Sequence, residues 1–116
     1  MKASTPQPAT APATTSAELM ESASEAAAEL LKAMANPQRL RVLCLLIERE
    51  MSVGEINALV PLSQSALSQH LAVLREKNLV STRREAQTVY YAVSDGLVHD
   101  IIETLHTAFC TPGRTG

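Results

Sequence analysis

The sequence has little aromatic character and no long apolar run. It contains no tryptophan, one phenylalanine and two tyrosines among 116 residues, so aliphatic side chains and alanine must build its core. The longest uninterrupted apolar run, Val42 to Ile47, has six residues, far short of the roughly 20 that cross a bilayer. The Thr-, Ala- and Pro-rich start has no apolar signal region, so we expect a cytoplasmic protein without a membrane partner.

Net charge and cysteine are equally scarce. Ten basic and twelve acidic side chains give a net charge of -2, so any affinity for nucleic acid requires a local basic patch. Two cysteines are too few for a disulfide-dense secreted scaffold or a four-ligand zinc site. The chain has no glycine-rich phosphate loop and no metalloprotease motif. We therefore expect neither an enzyme nor a bound cofactor.

The sequence is rich in signals for the start of a helix. Caps or capping boxes precede five stretches with apolar residues at helical spacing: Thr15 with Glu18, Asn36 with Pro37, Ser52 with Glu55, Ser63, and Ser94. Two β-prone runs, LVSTRR and TVYYAV, lie between the fourth and fifth helices and are separated by a charged tip at residues 85–87. The pattern predicts a mainly α chain with a β-hairpin, in the order ααααβ-βα. One domain is expected over 16–111, with disordered tails at 1–15 and 112–116.

The third and fourth helices are separated by a short turn and suggest a helix-turn-helix. On the fourth helix, small or hydrogen-bonding residues lie opposite a leucine stripe, which is the kind of face that enters a DNA major groove: Ser65, Ser68, Gln69 and Ala72. Gln64 lies at the start of this helix, where backbone N–H groups also meet phosphates. Residues 75–84 carry four basic side chains against one acidic side chain, the clustering that phosphate contacts need.

The stretches LLKAMANPQRLRVLCLL and LSQSALSQHLAVLREKNLVSTRREAQTVYYAVS resemble the ArsR-type winged-helix repressors over about residues 17–110. This resemblance implies a winged helix-turn-helix that binds a double-stranded DNA operator as a homodimer through the first and last helices. It places a recognition helix at 63–77 and a wing at 81–91. The DNA-binding residues expected from the resemblance and the basic cluster are Gln64, Ser65, Ser68, Gln69, His70, Arg75, Arg83, Arg84 and Gln87. His70 lies near the leucine stripe, so a packing role is an equal alternative.

The residues that bind metals in many family members are missing. The family's thiolate site falls on MSVGEI, which has no cysteine, and its last-helix site needs an Asp-x-His pair where Asp95 is followed by Gly96 and Leu97. Four possible ligands share one face of the last helix, but they form a row of about 16 Å, too long for one tetrahedral ion: His99, Glu103, His106 and Cys110. We therefore predict no metal site, and a metal-responsive repressor remains an alternative.

The two cysteines support another interpretation. A lone cysteine in an apolar helix is usually an inert small hydrophobe, but the sulfur-responsive branch of the family has one cysteine at each of the positions of Cys44 and Cys110. The resemblance implies that these two thiols sense persulfides or other reactive sulfur species and close into a disulfide or polysulfide bridge that lowers operator affinity. We expect Cys110 to attack first, because partial exposure or a protonated His106 favours its thiolate. An anti-repressor or adaptor acting on another regulator is a further alternative.

Overall fold

The computed structural model describes residues 15–110, which contain five helices and three short strands. The elements are α1 (Ser16–Met34), α2 (Pro37–Glu48), β1 (Met51–Ser52), α3 (Val53–Leu59), α4 (Gln64–Glu76), β2 (Val80–Glu85), β3 (Thr88–Val93) and α5 (Leu97–Cys110). The predicted tails lie outside the described residues, except for Thr15.

Helix α1 begins with the predicted capping box. The Thr15 backbone N–H donates to Glu18 at 2.8 Å, and the Glu18 backbone N–H donates to the Thr15 hydroxyl at 3.1 Å. The chain divides into two compact units between Lys32 and Ala33, so most of α1 forms one unit and the rest of the chain forms the other. The single domain over 16–111 remains a prediction.

Helix α2 is the centre of the core in the second unit. Its N-cap, Asn36, accepts hydrogen bonds from the backbone N–H groups of Gln38 and Arg39 at 3.0 and 3.1 Å, and Pro37 occupies the first turn. Val42 and Leu43 are fully buried. The helix packs against α4, α5 and β3, so it connects the helix-turn-helix to the last helix.

The helix-turn-helix forms as the caps predict. Ser52 and Glu55 make a reciprocal capping box at the start of α3, and the Ser63 hydroxyl accepts the Ala66 backbone N–H at 3.1 Å at the start of α4. The predicted leucine stripe of α4 is buried: Leu67, Leu71 and Leu74. Asn78 ends the helix in the left-handed region, with φ 61°.

The hairpin β2–β3 follows α4 and forms a three-stranded antiparallel sheet with β1, which precedes α3, in the order β1-β3-β2. The hairpin register runs from Val80 opposite Val93 to Glu85 opposite Thr88, and the tip turns at Ala86, which has φ 57°. Strand β1 was not predicted, because two residues carry no readable periodicity.

The predicted cap at Ser94 is wrong. Helix α5 begins only at Leu97, which leaves Gly96, with φ 84°, at the cap position. The Ser94 backbone N–H donates to the Leu79 carbonyl at 3.1 Å and ties the end of β3 to the residue before β2. The predicted fold class is confirmed: the chain is mainly helical with a small antiparallel hairpin. Among the described residues, no helix combines the length and the apolar character needed to span a membrane.

Candidate nucleic-acid interface and cysteine groove

Burial of the leucine stripe leaves the opposite side of α4 in solvent. Four of the residues predicted to contact DNA are exposed in the first two turns of α4: Gln64, Ser65, Ser68 and Gln69. The fifth, His70, is half-buried. Ala72 is also exposed and adds no bulk to this face. Small and polar side chains thus lie on the exposed side of a helix whose opposite side is packed into the core, an arrangement that suits close approach to base edges.

The two arginines of the wing differ in their surroundings. Arg83 donates from Nε to the Glu50 carboxylate at 2.8 and 3.0 Å and from a terminal nitrogen to Glu85 at 3.3 Å. Its guanidinium also lies 4.6 Å from the centre of the Tyr90 ring. Arg84 is exposed and forms no ion pair within residues 15–110.

The Arg83 contacts anchor the wing to the rest of the fold. Hydrogen bonding with Arg83 lowers the pKa of Glu50, and hydrogen bonds to Glu50 and Glu85 raise the pKa of Arg83. Glu50 immediately precedes β1, so the pair joins the α2–β1 connection to strand β2. The charge of Arg83 is largely balanced by two carboxylates, whereas Arg84 has no carboxylate partner among residues 15–110. Direct DNA contact by Arg83 remains a prediction.

Cys44 and Cys110 line one groove between α2 and α5. The groove has a volume of about 470 Å³, and its walls are mainly apolar: Pro37, Leu40, Arg41, Cys44, Leu45, Glu48, Leu105, His106, Phe109 and Cys110. Cys44 is half-buried in the middle of α2, and Cys110 is exposed at the last turn of α5. Both thiols are free, and the fold brings together two residues that are distant in the sequence.

The surroundings of Cys44 oppose its ionisation. Burial, the neighbouring Cys110 and the Glu48 carboxylate together raise the pKa of Cys44 to about 11. At neutral pH, Cys44 is therefore almost entirely in the thiol form. One turn away in the same groove, the His106 Nε2 lies 2.9 Å from the Glu48 carboxylate. His106 thus has a carboxylate partner on the facing helix.

The predicted row of ligands on α5 does not come together as one site. Within the described residues, His99 and Glu103 have ligand atoms within 4.8 Å of each other and of Asp100, which the sequence analysis did not consider. His106 is bonded instead to Glu48. This cluster is at the surface, where acidic groups are common without a metal.

Sequence reasoning missed Glu48 and Glu50, whose partners are 58 and 33 residues away in the chain, and Tyr90, which lies opposite Arg83 in the hairpin. One signal for Glu48 was available. Cys44 and Glu48 are four residues apart on α2, as are His106 and Cys110 on α5, so each pair shares a helix face. No comparable spacing predicts the contact of Arg83 with Glu50, whereas pairing of the two hairpin strands is a signal for its contact with Tyr90.

A capped helix-turn-helix with an exposed polar face, followed directly by a basic antiparallel hairpin, defines a winged-helix DNA-binding protein. The profile described as "Bacterial regulatory protein, arsR family" matches residues 36–82. The chain belongs to this family of DNA-binding transcriptional regulators, and its relatives are regulators rather than enzymes.

The similarity extends well beyond the matched segment. The chain is 56% identical to the transcriptional activator HlyU of Vibrio cholerae over 91 residues, which are 78% of this chain and 84% of HlyU. It is 43% identical to the biofilm growth-associated repressor of Agrobacterium fabrum over 93 residues, which are 80% of each chain. The crystal structure of the repressor BigR from Xylella fastidiosa superposes with a TM-score of 0.78 at 36% identity, over 87% of this chain and 100% of BigR.

Proposed function

We propose that this regulator is a repressor that senses persulfides and other reactive sulfur species through Cys44 and Cys110. A disulfide or polysulfide bridge between the two thiols lowers its affinity for operator DNA. The observation that carries the proposal is the groove between α2 and α5, which holds both thiols. Had the fold placed them on opposite sides of the subunit, no modest rearrangement would join them.

The exposure of the two sulfurs supports an order of reaction. The exposed Cys110 attacks first: its thiolate takes the outer sulfur from a persulfide RSSH, forms Cys110–S–SH and releases the thiol RSH after one proton transfer. Cys44, as its thiolate, then attacks the Cys110 sulfur and expels HS⁻, which leaves a disulfide. A second persulfide that first modifies Cys44 leads to the longer, polysulfide bridge by the same exchange chemistry.

The contacts of α2 provide a route from the bridge to the DNA-binding surface. This helix packs against both α4 and β3, and its end leads through Glu50 and β1 to the wing. A bridge that ties α2 to α5 therefore acts on the element that supports the recognition helix. A tenfold loss of operator affinity requires only about 1.4 kcal/mol of preference for the non-binding arrangement.

Exposed apolar side chains support a homodimer formed through α1 and α5. Leu19, Met20 and Leu31 are exposed on α1, and Leu97 and Phe109 are exposed on α5. Large apolar side chains left in solvent are typical of surfaces that a partner covers, so we propose that each helix contributes contacts to the dimer. A symmetric dimer would present two recognition helices to successive major grooves, about 34 Å apart.

On DNA, the exposed residues of α4 read base edges, while Arg75, Arg84 and Gln87 contact the backbone. Replacing Arg84 with alanine should weaken binding to all sequences and reduce the slope of log affinity against log salt by about one per lost phosphate contact. The measurement is a salt titration of DNA binding. Arg41→Ala is a matched control, because this arginine lies in the cysteine groove and should leave the slope unchanged. An unchanged slope for Arg84→Ala would show that the wing is wrongly assigned.

Intact-mass measurement tests the sensing chemistry directly. After treatment with an organic persulfide, we expect a species that has lost two protons, with or without added sulfur atoms, and that a reductant reverses. Peptide mapping should join the segment containing Cys44 to the segment containing Cys110. If the persulfide adds sulfur to each cysteine separately and no linked peptide forms, the bridging mechanism is wrong.

A further inference from the structure

The cysteine groove contains two matched pairs of side chains on facing helices. Cys44 and Glu48 lie one turn apart on α2, and His106 and Cys110 lie one turn apart on α5. The 2.9 Å contact between His106 and Glu48 therefore forms one rung, and the two thiols form the next. Cys44 therefore faces Cys110 and Glu48 faces His106, a pairing that requires α2 and α5 to run antiparallel along the groove.

Glu48 is an unfavourable neighbour for a thiolate. Its carboxylate is one of the charges that oppose ionisation of Cys44, and closure of a bridge requires Cys44 to react as a thiolate. Within the described residues, His106 is its hydrogen-bond partner, and Arg41, on the same groove, forms no ion pair. The His106 side chain is 23% exposed and the Glu48 side chain is 58% exposed, so water partly screens the contact between them.

We propose that His106 is a positioning residue for Cys44: by donating to Glu48 it offsets the carboxylate charge that opposes the Cys44 thiolate. His106 acts through Glu48 and does not itself take part in sulfur exchange. Its importance for sensing rests on the proposed function, since a more reactive Cys44 closes the bridge faster. Its effect on Cys44 is a property of the folded protein and requires no sulfur donor.

A purely structural tie between α2 and α5 predicts a different outcome. Glu48→Gln and His106→Gln alter the same contact. If this contact only holds the helices together, both variants change the alkylation rate of Cys44 in the same direction. If charge is what matters, the variants act in opposite directions. Glu48→Gln removes the opposing charge, and His106→Gln leaves that charge without its partner.

The test measures alkylation of Cys44 by iodoacetamide at pH 8 in the full chain carrying Cys110→Ser, so that Cys44 is the sole cysteine. We expect alkylation about two- to fivefold faster with Glu48→Gln and slower by a similar factor with His106→Gln, as suits a partly exposed charge pair. In the double variant, His106→Gln should have no further effect, because the charge it offsets is gone. His106→Lys places a permanent cation beside Glu48 and should give at least the parental rate.

Two results would overturn the proposal: a shift in the same direction for both single variants, or no change in either. Loss of folding in His106→Gln would show as a lower melting temperature. The alkylation rate of Cys44 in His106→Lys is then compared with that of the parent, and a rate below the parental rate contradicts the charge effect. The alkylation result is separate from the proposed function. Opposite shifts in a protein that never forms a persulfide-induced bridge would retain the role of His106 and reject the sensing mechanism.

Discussion

Replacing either Cys44 or Cys110 with serine should leave operator binding intact and abolish its response to persulfides. Serine is close in size to cysteine, and neither sulfur lies in the helix-turn-helix or the wing, so the reduced DNA-binding form is retained. We expect a persulfide to weaken binding by the parent at least about tenfold, or about 1.4 kcal/mol. Each variant should change less than twofold. A gel-shift titration with and without donor measures this difference.

Ala108→Ser provides a control on the same helix, because it introduces a hydroxyl near the end of α5 and keeps both thiols. It should respond to persulfide as the parent does. A Cys44→Ser variant that still releases DNA would mean that modification of Cys110 alone is sufficient. In that case the groove would matter for access to Cys110 and not for closing a bridge.

Leu67→Ala should produce the largest loss of stability. Leu67 is 0% exposed on the buried stripe that holds α4 in place, and truncation of such a side chain leaves a cavity. We expect a fall of about 3 kcal/mol in the free energy of unfolding, within the range of about 2–5 kcal/mol for buried leucines. Urea unfolding of the parent and the variant measures the effect. Operator binding should also weaken, because the recognition helix depends on this packing.

Leu59→Ala is the matched control, since Leu59 lies on neighbouring α3 with 56% of its surface exposed. Its truncation removes little buried area and should cost less than about 1 kcal/mol. Equal losses for the two variants would mean that α4 is not held by its leucine stripe. The polar face could then no longer be assigned from burial of the opposite side.

Local rules predicted most of the fold correctly. The capping pairs at Thr15, Asn36, Ser52 and Ser63 depend on residues two to three positions apart, so the sequence contains the whole signal. The leucine stripe of α4 likewise follows from helical periodicity. The prediction at Ser94 failed because α5 begins only at Leu97, after Gly96 with its φ of 84°, so Ser94 lies too far before the first turn to cap it.

Some residues of the candidate sites follow from local sequence patterns, and others depend on tertiary contacts. The exposed polar face of α4 follows from periodicity, but the resemblance to a family was needed to relate Cys44 to Cys110. Glu48 and Glu50 were missed because their partners, His106 and Arg83, are brought to them only by the packing of α5 and the pairing of the sheet. Side chains joined over more than 30 residues leave no periodic trace in one sequence.

The two cysteines lie at different positions in their helices. Cys44 lies within α2, where backbone hydrogen bonds continue on both sides, whereas Cys110 is the final residue of α5. The last turn of a helix has unpaired carbonyl groups and unwinds at small cost. The backbone at Cys44 is therefore harder to displace than the backbone at Cys110. A crosslink that is longer by one sulfur atom would therefore displace the Cys110 end of α5 more than it displaces the middle of α2.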